Sequence, residues 1–66
     1  MEQYQIRVME EKKELDAKID KLAAFIKTAQ FNELTDEHRG LLVQQLRAMR
    51  NYADILGERV ELFAAA

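Results

Sequence analysis

The chain has no cysteine, no proline and no serine, and only two glycines and one histidine among 66 residues. Without cysteine there are no disulfides and no thiolate metal sites. A single histidine does not make a zinc site. Without proline, and with little glycine, the usual interrupters of a helix are missing. No apolar run approaches the roughly 18 residues that mark a membrane span. Neither sign of charge dominates: ten basic and twelve acidic residues give a net charge of −2. The signs are interspersed, so there is no basic face for a DNA or RNA polymer. Glu2, Glu10 and Glu11 occupy the stretch where a secretory leader needs a basic and then an apolar segment. The expected location is the cytoplasm, away from any membrane.

What is present favours long helices. A third of the residues are charged, and alanine, leucine, glutamate, lysine and glutamine are abundant. A chain this short buries roughly 60% of its unfolded surface. Its core supplies no more than about 3–5 kcal/mol. With disulfides and metals excluded, self-association is the remaining source of stability.

The apolar spacing predicts two helices. Val8, Leu15, Ile19, Leu22 and Ile26 form one stripe, broken where Glu11 and Lys12 stand. Leu42, Met49, Tyr52, Leu56 and Phe63 form a second, read as interrupted by Gln45 and Arg59. Helix boundaries are expected at about 2–28 and 36–63, with a turn within 29–35. Thr35 is the expected N-cap, followed by Asp36 and Glu37 at the positive end of the helix dipole. Phe31 and Leu34 are expected to seal the turn, and residues 64–66 read as a frayed tail. Gly57, interior to the second helix, costs roughly 1 kcal/mol against alanine and suggests either a close approach or tolerance near an end. The fold class is therefore all-α: one antiparallel helical hairpin spanning residues 1–66, some 40 Å long, assembling into a dimeric or tetrameric bundle. Folding at the turn pairs Ile19 with Met49, Leu15 with Tyr52, Val8 with Arg59 and Tyr4 with Phe63. The turn end is then apolar and the open end mixed.

Catalysis has little support. There is no candidate nucleophile beside a base, no glycine-rich phosphate loop and no paired-histidine motif. Glu10, Glu11 and Glu14 are more simply solvated helix charges than an acid–base pair. No catalytic residue, metal ligand or cofactor is expected. The open end suits a bound ligand better. Tyr4 and Tyr52 offer flat faces for stacking, Arg7 and Arg59 offer guanidinium forks for phosphate, and Lys12 adds a point charge. Gln45 donates and accepts as a base edge requires, and Glu11 shares a helix face with Tyr4 and Arg7. Two hairpins about a two-fold axis would present this set twice, matching a two-fold ligand such as a cyclic dinucleotide. The plainer alternative is that Glu11 and Arg59 form a register-setting ion pair while the tyrosines pack as core.

The first half, Tyr4-Gln5-x-Arg7-Val8-x-x-Glu11-Lys12-x-Glu14-Leu15-Asp16 and then Lys18-Ile19-x-Lys21-Leu22-x-x-Phe25-Ile26, resembles small helical proteins of the crAss-like phage related family. Leu41-Leu42, Gln45, Ala48-Met49, Tyr52, Ile55-Leu56-Gly57, Arg59 and Phe63 continue the likeness over nearly the whole chain. Small phage helical proteins of this kind include sponges that hold the cyclic oligonucleotide signals of bacterial immunity, such as those of CBASS, without cleaving them. The resemblance implies a homo-oligomer, most simply a tetramer, that sequesters a cyclic dinucleotide in the host cytoplasm. A helical module docking on a host protein is the other reading.

Overall fold

A computed structural model describes residues 1–65 and shows three helices and, among the described residues, no strand. Helix α1 spans Gln3–Ile26, α2 spans Ala29–Asn32, and α3 spans Asp36–Ala65. The protein is all-α. Helices α1 and α3 lie antiparallel as a rod with extents of 48 × 14 × 14 Å. Residues 64 and 65, read from sequence as tail, continue α3, and residue 66 lies outside the described residues.

Local chemistry sets each boundary. The Glu2 backbone N–H donates to Gln5 Oε1 at 2.9 Å and opens α1. At its other end the Thr28 hydroxyl donates to the Phe25 carbonyl at 2.6 Å and accepts from the Phe31 N–H at 3.3 Å. One side chain thus closes α1 and caps α2. The expected turn therefore holds a single-turn helix, which buries Phe31 edge-on to Phe25 at 6.1 Å between ring centroids. Leu34 is half-buried beside it. Thr35 opens α3 by accepting from the His38 N–H at 3.1 Å, with Asp36 and Glu37 in the first turn. Arg39 adds a 3.2 Å bond to the Asn32 carbonyl and an ion pair with Asp36.

The core is a thin seam. Val8, Leu15 and Ile19 from α1 meet Leu46, Ala53 and Leu56 from α3, with Leu22, Ile26, Met49, Val60 and Phe63 packed around them. The seam on α3 corrects the expected stripe. Leu42, Leu46, Met49, Ala53, Leu56, Val60 and Phe63 follow one another at steps of four and three without a polar break. Gln45, Tyr52 and Arg59 are exposed, displaced one position from Leu46, Ala53 and Val60, which take the inward places. The expected pairing of Val8 with Arg59 is therefore replaced by packing that involves Val60. On α1 the break is real, and it is Lys12. Its stem crosses Gly57, where an added Cβ would stand 3.3 Å from Lys12 Cε, and its ammonium reaches Asp16 at 2.8 Å. Of the two glycines, only Gly57 meets such a close approach.

Candidate functional site

In an antiparallel pair, residues flanking the seam form two separate sides. Tyr4 and Glu11 on α1, with Gln45, Tyr52 and Arg59 on α3, flank it on one side, and Arg7 lies next to them on α1. The two helices are tied together here. The Tyr52 hydroxyl donates to Glu11 Oε2, and Tyr4 packs edge-on to Phe63 at 5.7 Å between ring centroids. The Glu11–Arg59 ion pair weighed from sequence does not form: Glu11 faces Tyr52, seven residues and about 10 Å along α3 from Arg59. Among the described residues, the ion pairs are Lys12–Asp16 and Arg39–Asp36. Arg7 and Arg59 both stand in solvent, with no carboxylate partner among the described residues.

Five of the seven candidates therefore gather at the open end: Tyr4, Arg7, Glu11, Tyr52 and Arg59. Gln45 lies two helical turns from Tyr52 toward the turn end, about 10 Å along α3, and its amide rests 3.9 Å from Met49 Sδ. Lys12 is turned to the opposite side. There it edges a shallow apolar groove of about 300 Å³ with Met9, Lys13, Asp16 and Val60. It also edges a second groove of about 410 Å³ that includes Asp54, Glu58 and Glu61. Three carboxylates around one ammonium make that groove a poor place for an anion. His38 stays at the N-terminus of α3, exposed, with its backbone engaged in the cap.

Chemically, the open end offers two aromatic faces, a phenol held by a carboxylate and two unengaged guanidinium groups. That set can stack planar rings and grip anionic oxygens. Among the described residues no group of histidine, cysteine and acidic side chains is placed to hold a metal ion. None of the described helices is long and apolar enough to cross a membrane. Sequence reasoning passed over Ile55 and Leu62, which lie exposed on the same side of α3. The signal for them was the seven-residue spacing of Leu41, Ala48, Ile55 and Leu62.

Comparison with known proteins adds a family. The sequence model of Sequestin matches residues 2–62. The chain is also similar to an uncharacterized 7.5 kDa protein from the denB-rIIB intergenic region of Enterobacteria phage T4. The two are 37% identical over 60 residues, covering 91% of this chain and 94% of that one. The kinship is with a small phage protein, and neither match carries the crAss-like grouping. No solved structure matches the chain.

Proposed function

The chain belongs to the Sequestin family, and on that premise we propose that it is a phage anti-defence protein that binds and holds a cyclic oligonucleotide immune signal without cleaving it. The carrying observation is the open end, where Arg7 and Arg59, beside Tyr4 and Tyr52, pair with no carboxylate among the described residues. Phosphates suit the guanidinium forks, and bases suit the aromatic faces. The family's name, which denotes sequestration, and the relative in a phage support the same reading. With no nucleophile–base pair in the set, the role is stoichiometric binding rather than turnover. The protein works as a homo-oligomer in the host cytoplasm, so that the ligand is enclosed by more than one chain.

A thermal-shift panel of cyclic di- and trinucleotides, with linear nucleotides as controls, tests this. A ligand at about 100 times its dissociation constant adds about 2.7 kcal/mol, a shift of several degrees for a domain this small. The expected result is a selective shift with a cyclic member, intact ligand recovered afterwards, and loss of the shift in Arg7→Ala and Arg59→Ala. A panel without any shift sinks the reading. It would favour a module that docks on a host protein, for which the apolar residues left exposed on α3 are the supporting observation.

A further inference from the structure

The outward side of α3 carries a second apolar stripe. Leu41, Ile55 and Leu62 are 56%, 45% and 68% exposed, and with Ala48 they recur every seven residues. Gln45, Tyr52 and Arg59 interleave with them, so steps of four and three continue over the length of the helix. That is the spacing of a helix seam, and none of the described residues covers it.

The amount of exposed surface matches what a second chain would cover. A compact chain of 7.7 kDa exposes about 4,300 Å², whereas this one exposes 5242 Å². The excess, about 900 Å², is close to the roughly 800 Å² that one partner contributes to a standard protein interface. The spacing is also complementary to itself. When the stripe is laid antiparallel on its own copy and centred on Tyr52, Leu41 comes within one residue, about 1.5 Å along the axis, of facing Leu62 of the second copy. Ala48 comes equally close to facing Ile55, small against large. Tyr52 meets Tyr52 at the axis, and Gln45 meets Arg59. Within one chain Gln45 and Arg59 are about 21 Å apart along α3, too far to share a small ligand.

We propose that a second copy of this chain docks antiparallel on the Leu41–Leu62 face of α3, so that each of two equivalent sites takes Arg59 from one chain and Gln45 from the other beside the paired Tyr52 rings. The interface stands on the stripe and the exposed area. Only the ligand role of the composite site rests on the nucleotide reading above.

Sedimentation and cross-linking of the full chain test the interface. The native chain should sediment at twice its 7.7 kDa mass or an even multiple of it, and Ile55→Glu should lower that mass. The chain lacks cysteine, so single cysteines report the register even if Ile55→Glu does not fold. Under oxidation Tyr52→Cys should cross-link to itself several-fold better than Leu62→Cys does. A mixture of Leu41→Cys and Leu62→Cys should cross-link to each other. A native chain sedimenting as one copy overturns the proposal, as does Leu62→Cys pairing with itself as readily as Tyr52→Cys. An even-numbered assembly that binds no nucleotide leaves the interface standing and removes the ligand reading. A single copy that binds nucleotide does the reverse.

Discussion

Helix α3 has two stripes of nearly equal length, and their difference lies in what meets them. The inner one, Leu42 through Phe63, is covered by α1 and holds Leu56 fully buried. The outer one, Leu41 through Leu62, is open to solvent and alternates apolar side chains with Gln45, Tyr52 and Arg59. The inner stripe carries the stability of a single chain. The outer stripe adds little to it, and its polar members stay exposed to solvent. A polar residue on a helix thus means different things on the two faces. Lys12, opposite the inner stripe, costs packing, whereas Arg59, on the outer one, costs none.

The largest expected break in this contrast comes from neighbouring residues. Leu56→Ala should destabilise the fold by about 2–5 kcal/mol, while Ile55→Ala should cost the isolated chain well under 1 kcal/mol because its side chain is already hydrated. Paired urea melts at low protein concentration, where assembly does not contribute, check both values. Equal losses would mean that the two faces are not distinct. Next in size is Lys12→Leu, which fills a polar gap opposite the inner stripe. It should raise stability by roughly 1 kcal/mol, because the apolar surface gained exceeds the half-exposed pair with Asp16. A lower urea midpoint would show that the ammonium holds the register more than it weakens the core.

The two glycines sharpen the comparison further. Gly40 has open space around it, so Gly40→Ala should gain about 1 kcal/mol of helix propensity. Gly57→Ala should gain less, because Lys12 Cε must give way. Calorimetric melting temperatures of the two variants should separate in that order. The smallest effect is expected from Tyr52→Phe. Removing its bond to the exposed Glu11 should cost about 0.5 kcal/mol, with helicity by circular dichroism unchanged. A loss above about 2 kcal/mol would make that bond part of the fold rather than of an outer site.

The helices, the Thr35 cap and the apolar turn end are legible in the sequence, because each rests on local spacing or a local hydrogen bond. The facing of α3 is not. Leu41–Leu42, Ile55–Leu56 and Leu62–Phe63 are adjacent apolar pairs, and either member of each satisfies a helical stripe. Reading Tyr52 as inward mixed the two stripes and turned Gln45 and Arg59 into apparent interruptions. Only packing against α1 decides between them, through small Ala53 and the displaced partner Val60. The one-turn helix α2 was hidden for a different reason. Four residues carry no periodicity, and the Thr28 hydroxyl serves two helix ends through local bonds that a lone threonine in sequence does not announce. For the site, the residue types were visible, but which of them share a side was not. Lys12 and Arg59 are both basic and lie near the same end, yet they fall on opposite sides of the seam.

The locked turn also gives the rod a direction in time. Loop closure costs more the farther apart in sequence two residues are. Contacts near Phe31 therefore close first, and the Tyr4–Phe63 contact closes last. Opening runs the other way, from the two termini inward, with the least protected backbone amides at that end. The proposed ligand residues thus lie on the part of the hairpin farthest from its locked turn. A ligand bound there would act as a clasp, holding shut the end that the turn cannot reach.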